Sequence, residues 1–579
     1  MRLLPIWSLF VAAAAAATTA SMLLGNASAN FSVVGITRND VEVYLGIPYA
    51  KDTSGKNRFK PPIPYSYKPG STIYATQPGH ACPQHLGVIF APLGLGNITD
   101  ISEDCLNLNV ARPNAADRKG KGPLPVLVWI HGGSFWWASN KEPTTAPDGL
   151  IKQSVENGDP IIHVAMNYRL GFFGFANSDS LKEEGSMNAG LRDQRAAIEW
   201  VRDNIAAFGG DPERITIAGQ SSGGLAIGMQ IMAYGGEKPL PFQQGIAQSQ
   251  ALEPGITGTF ARDAMAAVVD YVGCNTADLD APKTIDCLRG MDTKTLLNAS
   301  FETYADDIGH NIGDIWLPMV DGDFLPAPPS QLIDQGRFGN VTFMSGWTQG
   351  DLNVYTNTSI KTAKDTYSFI RGYLPAMSEK SLGELLDLYP VKEFTASEDL
   401  TPEFYRSARI FRDILMVCPS VHLGGAIKEE HDAPVYFYNF NQTILDTILE
   451  HTNQISGFGV VHTSEFAYVF DSMDVYRESG YVFDPTEYDY ELAMRASRSW
   501  ATFVSQGVPT KKGPKSQTLT NWVEAFSRPG GPYIRTIGGP NPNMSALGRA
   551  NSTVEMAKQR LQERCAFFNS PEIIRALQY

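Results

Sequence analysis

The sequence predicts an α/β fold, with a large, mostly parallel central sheet flanked by helices. Three observations carry that expectation. Short, nearly continuous runs rich in β-branched residues recur at 124–130, 161–167, 215–219, 341–345 and 435–440, the pattern of strands buried on both faces. Between the second and third runs lies NAGLRDQRAAIEWVRDNIAAFGG, where Leu191, Ile198, Val201 and Ile205 recur at helical spacing and Gly209-Gly210 supplies the stop. A Gly-x-Ser-x-Gly sequence then joins the 215–219 run to the helical stretch LAIGMQIMAY. Strand, helix and strand in that order favour right-handed crossovers.

The composition agrees with a large core. Of 579 residues, 43% are hydrophobic and 19% charged, which excludes a mostly disordered chain or a coiled coil. The 47 Lys+Arg against 61 Asp+Glu leave a net charge of −14, and an acidic surface repels phosphate backbones, so no nucleic-acid partner is expected. Length alone suggests several domains. No repeat, low-complexity tract or long Gly/Ser linker follows residue 30, and the polar joints at 112–122 and 508–516 are loop-sized, so one continuous domain over 30–579 is the expectation.

At the N-terminus, residues 3–25 carry no charge and follow Arg2, and Ala27-Ser28-Ala29 offers small residues for cleavage. This reads as a signal peptide over 1–29, with an uncleaved anchor as the alternative. Beyond this segment no stable membrane anchor is expected. Export agrees with the sequons at Asn30, Asn97, Asn298, Asn340, Asn357, Asn441, Asn543 and Asn551. The six cysteines, Cys82, Cys105, Cys274, Cys287, Cys418 and Cys565, form no metal-type cluster; in an exported chain they read as disulfides of undetermined connectivity.

The chemistry centres on Gly219-Gln220-Ser221-Ser222-Gly223. A nucleophile on a sharp strand-to-helix turn has a strained backbone, and flanking glycines remove the Cβ atoms that would clash there. The turn lifts the Ser221 hydroxyl clear of the sheet. A second loop, His131-Gly132-Gly133-Ser134-Phe135, follows the 124–130 strand. The N–H groups of Gly133 and Ser134, with that of Ser222, would form a hole for an oxyanion, each donor being worth roughly 3 kcal/mol of barrier. His131 opens that loop and reads as structural.

The general base must come from nine histidines, and in the order Ser, acid, His only His422, His431, His451 and His462 qualify. His431 lies in the charged run KEEHDAP, and His422 and His451 in helix-like stretches. His462 sits in the Gly-punctuated loop SGFGVVHTSEFAYVF, which can present an imidazole to a pocket, and is favoured. For the acid, Asp321, Asp323 and Asp351 all follow apolar segments, and spacing does not choose among them.

These residues resemble the type-B carboxylesterase/lipase family, which also holds the cholinesterases and neuroligins, with secreted fungal carboxylesterases the most similar in kind. The resemblance rests on YLGIPYA, RFKPP, SEDCLNLNV, VWIHGGSF, NYRLGFFGF, NIAAFGGDPERITIAGQSSGG, LPMVDGDFLP, HTSEFAYVF and WATFVSQGVP, which cover nearly the whole chain after the leader. It implies an α/β-hydrolase fold and a secreted serine esterase that needs no cofactor or metal and acts on a small-molecule ester. It matches Ser221 to the nucleophile, His462 to the base, and Gly133, Ser134 and Ser222 to the oxyanion donors. It also aligns Asp351, in VTFMSGWTQGDL, with a position usually held by Glu, so Asp351 is the favoured acid and Asp321 matches a structural motif. By the same resemblance, Ser249 is a hydroxyl supporting the triad, Arg169 and Asp193 form a structural ion pair, and the disulfides are Cys82–Cys105, Cys274–Cys287 and Cys418–Cys565.

The departures bear on substrate. Gln220 stands where the family often has Glu, and the 83–104 loop has no Trp, Phe90 being its only aromatic; both argue against a choline ester. That loop, PQHLGVIFAPLGLGNITDISED, resembles the lipase lid but is short, which favours soluble or short-chain esters. Trp136 and Trp137 either shape the pocket or pack the core. The alternatives are a lipase or sterol esterase with the same triad and, from another class, a non-catalytic neuroligin-like binding protein.

Overall fold

A computed structural model describes residues 16–24, 29–307, 315–513, 516–548 and 552–579. The strands among them are β1 (Ala16–Leu24), β2 (Ala29–Arg38), β3 (Val41–Pro48), β4 (Thr72–Tyr74), β5 (Asn107–Pro113), β6 (Leu124–Ile130) and β7 (Ile162–Met166). They continue with β8 (Gly210–Gln220), β9 (Gln244–Gln248), β10 (Thr342–Thr348), β11 (Val435–Phe440), β12 (Tyr533–Ile537) and β13 (Met544–Ala546). All join one sheet in the order β1-β2-β3-β5-β7-β6-β8-β9-β10-β11-β12-β13, with β4 beside β2. From β7 through β12 in that order every pairing is parallel, and antiparallel strands close both edges. Strand β1, Ala16–Leu24, pairs antiparallel with β2.

The middle of the sheet is apolar because both faces are covered. Along β6, Val126, Val128 and Ile130 join one core cluster while Leu127 and Trp129 join the other, as the period of two requires. The helix read from sequence forms as α1 (Ala189–Asn204), with Leu191, Ile198 and Val201 buried on the sheet. A 3₁₀ turn extends it to Phe208, and Gly209 stops it with φ +83°. Strand β9 escaped the pattern because QGIAQ has glutamines at both ends. Their amides are satisfied inside: Gln244 donates to Thr216 Oγ1 at 2.8 Å, and Gln248 Nε2 to Glu465 Oε1 at 3.1 Å.

The three expected disulfides are present, Cys82–Cys105, Cys274–Cys287 and Cys418–Cys565. The sequon asparagines Asn97, Asn298, Asn340, Asn357 and Asn543 are exposed and Asn441 is half-buried; Asn551 and the side chain of Asn30 lie outside the described residues.

Arg169, just past β7, pairs with Asp193 on α1 through two bonds of 2.7 Å and a third from its own N–H at 3.1 Å. Both groups are buried, and desolvation raises the Asp193 carboxyl above its ordinary range despite the guanidinium. The pair is therefore a weak source of stability, but breaking it leaves a buried charge. Arg169→Met is expected to lower unfolding free energy by about 3–5 kcal/mol in denaturant titrations, and Arg169→Met with Asp193→Leu by much less.

Candidate active site

The site forms where β6, β8 and β10 end. Strand β8 turns at Ser221 into α2 (Ser222–Met232), with Ser221 at φ 61°, ψ −127°, outside the favoured regions for a side-chain-bearing residue. Such a residue costs on the order of 1–3 kcal/mol and persists only when its surroundings fix it. Here its N–H donates to Gln248 O at 3.0 Å and its C=O accepts from Leu225 N at 2.8 Å. The turn fits only with glycine two residues to either side of Ser221. A Cβ on Gly223 would lie 2.2 Å from Ile130 O, and one on Gly219 2.4 Å from Gly223 O.

Strand β6 runs into Gly132-Gly133-Ser134, whose backbone has positive φ at Gly133 (96°) and Ser134 (54°). Among the described residues, the N–H groups of Gly133, Ser134 and Ser222 have no protein acceptor, the condition expected of donors kept for a ligand oxygen. The Ser222 hydroxyl accepts from Phe135 N at 3.2 Å and fixes the two loops together. His131 stacks on Tyr168 and burial lowers its pKa to about 4, so it stays neutral and structural.

Asp351 follows β10 and is fully buried. Its Oδ1 accepts from His462 Nδ1 at 2.5 Å, and its Oδ2 from Ser249 Oγ at 2.7 Å and Thr348 N at 2.9 Å. Two backbone bonds, His462 N to Asp351 O and Gly350 N to Val460 O, tie the acid loop to the histidine loop. With Nδ1–H given to the carboxylate, Nε2 of His462 carries the lone pair, as a general base requires.

That lone pair is engaged in this state. Gln220 Nε2 donates to His462 Nε2 at 3.0 Å, while Ser221 Oγ has no hydrogen-bond partner among the described residues. Ser221, His462, Gly133 and Ser134 line one cavity of about 40 Å³, with Trp137 and Tyr355 on its walls. The amide must yield the imidazole before a Ser221 proton can reach it. Trp136 instead packs into the core against Phe301 and Trp316.

The other histidines and acids lie elsewhere. His422 pairs with Asp334, His431 meets Phe338 O, and His451 bonds Thr447 O on its own helix. Asp321 accepts from Arg192, Asn188, Asp323 N and Leu325 N, and Asp323 is an exposed partner of the same arginine.

The sequence reading missed Glu465, three residues after His462. It is fully buried, its Oε2 has no hydrogen-bond partner among the described residues, and its pKa is pushed up to about 7 by burial and then by the Asp351 charge. A lone acid at the head of the apolar run FAYVF was the available signal. A folded-state pKa above the ordinary 4.5 gives stability present below about pH 4.5 and lost as pH rises through about 7. Glu465→Gln is therefore expected to gain stability over the wild type as pH rises across that window, by about 3 kcal/mol in full, read as the difference in unfolding free energy.

A model of the carboxylesterase family matches residues 23–566. The chain is 46% identical over 576 residues to a secreted lipase of Arthroderma benhamiae, covering 99% of each. It is 35% identical over 515 residues to the inactive carboxylesterase-like protein VdtD of Byssochlamys spectabilis, covering 85% of each. In fold it matches the crystal structure of Aspergillus niger EstA with a TM-score of 0.74 at 24% identity, covering 96% of this chain and 99% of that one.

Proposed function

The chain belongs to the carboxylesterase family of carboxylic ester hydrolases, and on that premise we propose that it is a secreted serine esterase working through an acyl-enzyme on Ser221. The observation that carries the reading is the buried Asp351–His462 pair, which leaves Nε2 as acceptor in the cavity that Ser221 lines. Similarity alone does not carry it, since one relative is named inactive.

In the proposed cycle Ser221 Oγ attacks the ester carbonyl carbon and its proton passes to His462 Nε2. Asp351 stabilises the imidazolium, and the N–H groups of Gly133, Ser134 and Ser222 bind the oxyanion. His462 then protonates the departing alkoxide, leaving an acyl group on Ser221. A water loses its proton to the same nitrogen, attacks the acyl carbon, and the acid departs as Ser221 recovers its proton.

Export follows from the leader at 1–29, whose removal leaves one domain over 30–579, and from the relative named a secreted lipase. The exposed sequons Asn97, Asn298, Asn340, Asn357 and Asn543 are the proposed glycan sites. The helix Pro402–His431 is long and apolar enough to span a bilayer, but most of its apolar stretch is buried in the fold. A pre-steady-state burst of p-nitrophenol from p-nitrophenyl acetate, stoichiometric with enzyme, is the expected sign of the acyl-enzyme. A linear release with no burst, and no acylated protein by intact mass, counts against it.

A lipase is the second reading. It is favoured by the relative of that name and by exposed Leu86, Val88 and Ile89 on the loop closed by Cys82–Cys105. A rate that jumps when the ester passes its solubility limit supports the lipase; a rate that only saturates supports the esterase.

A further inference from the structure

The loop closed by the Cys82–Cys105 disulfide covers the cavity that holds Ser221 and His462, with Leu93 and Gly94 in its lining. The loop's ends are tied elsewhere, Glu103 to Arg58 and Gln84 to Ala138 O, but its PLGLGN stretch beside the cavity is gripped by one side chain. Glu142, from the segment after the oxyanion loop, takes Leu95 N on Oε1 at 2.9 Å and Gly96 N on Oε2 at 2.9 Å. Oε1 also accepts from Thr144 N at 3.1 Å and Thr144 Oγ1 at 2.8 Å, which fixes the carboxylate from its own side. Two further contacts act in the same direction: Thr463 Oγ1 donates to Leu93 O at 2.9 Å, and Phe90 stacks on Trp137 at 4.5 Å.

The sequence PLGLGN is shaped to this contact. A Cβ on Gly96 would lie 2.7 Å from Glu142 Oε2, and one on Gly94 would lie 3.1 Å from the Trp137 ring. Glu142 lines the catalytic cavity, yet both its oxygens are taken by donors of the two loops. The catalytic cavity, about 40 Å³ in this state, has room for a few waters, against roughly 300–1,000 Å³ for pockets that enclose a drug-sized ligand. Glu142 also borders a neighbouring cavity of about 750 Å³.

We propose that Glu142 is a specificity-determining residue: its carboxylate latches the 83–104 loop over the catalytic cavity and restricts the enzyme to esters with short acyl groups unless the latch releases. The inference rests on the ester-hydrolase reading above, and its test is separable from that reading. The latch itself is read without catalysis, by amide hydrogen exchange at Leu95 and Gly96 in the full-length protein. Both amides exchange slowly in the wild type and about tenfold faster or more in Glu142→Ala and Glu142→Gln, the scale of a lost charge-assisted hydrogen bond.

Specificity is read as kcat/KM for p-nitrophenyl decanoate over that for p-nitrophenyl acetate, below the solubility limit. The ratio rises about tenfold in the Glu142 variants, carried by the decanoate KM. Gly96→Ala, which pushes on the same contact from the loop side and leaves Glu142 intact, raises the ratio in the same direction. Unchanged exchange in folded variants overturns the latch. Faster exchange with an unchanged or falling ratio overturns its role in specificity. A wild-type protein that hydrolyses neither ester overturns the esterase reading, while the exchange result still decides the latch.

Discussion

Ser221→Ala is expected to lower kcat/KM for a soluble ester by about ten-thousand- to million-fold with the protein still folded. The loss is large because the groups around Ser221 are arranged for one nucleophile. The positive φ of Ser221, the glycines beside it and the bond from its N–H to Gln248 O all serve to present that hydroxyl. Alanine meets the same backbone strain, so stability is expected within about 1 kcal/mol of the wild type. His462→Ala costs about as much as Ser221→Ala, and the double variant no more than either, because the two act as a unit. The residue of activity comes from binding and the three backbone donors. Steady-state kinetics on the four proteins, with folded fraction from circular dichroism, check this, and additive losses would contradict it.

Asp351→Asn is expected to lower kcat by about ten-thousand-fold. The carboxylate accepts from His462 Nδ1, Ser249 Oγ and Thr348 N together. An asparagine there has one acceptor oxygen and an NH₂ that donates. If the NH₂ faces Nδ1, the imidazole moves its proton to Nε2 and can no longer accept from Ser221. Asp321→Asn gives the contrast. That carboxylate holds Arg192 at 3.0 Å and the turn at Leu325, so its loss lowers stability while activity per folded molecule stays near the wild type. The opposite ranking of the two variants, after correction for folded protein, would place the acid elsewhere.

What the sequence disclosed follows from how each signal is carried. Strands β6, β7, β10 and β11 could be read because burial on both faces demands unbroken apolar runs. The elbow was legible because its glycines are required by contacts as short as 2.2 Å. Strand β9 was not, since its terminal glutamines are polar by type and buried through partners far along the chain. Asp321, Asp323 and Asp351 look alike locally and differ only in what the fold brings to them. Gln220 stands out in the sequence only as a departure from the family's Glu; its bond to His462 joins residues 242 positions apart and has no local trace. Glu142 is the same case: its partners Leu95 and Gly96 are backbone groups of another loop.

The most direct test of the account is covalent labelling by a fluorophosphonate probe, followed by mass spectrometry of the labelled peptide. The wild-type protein is expected to take up one equivalent, located on Ser221, and folded Ser221→Ala to take up none. A folded wild-type protein that stays unlabelled, or one labelled on a residue other than Ser221, would contradict it.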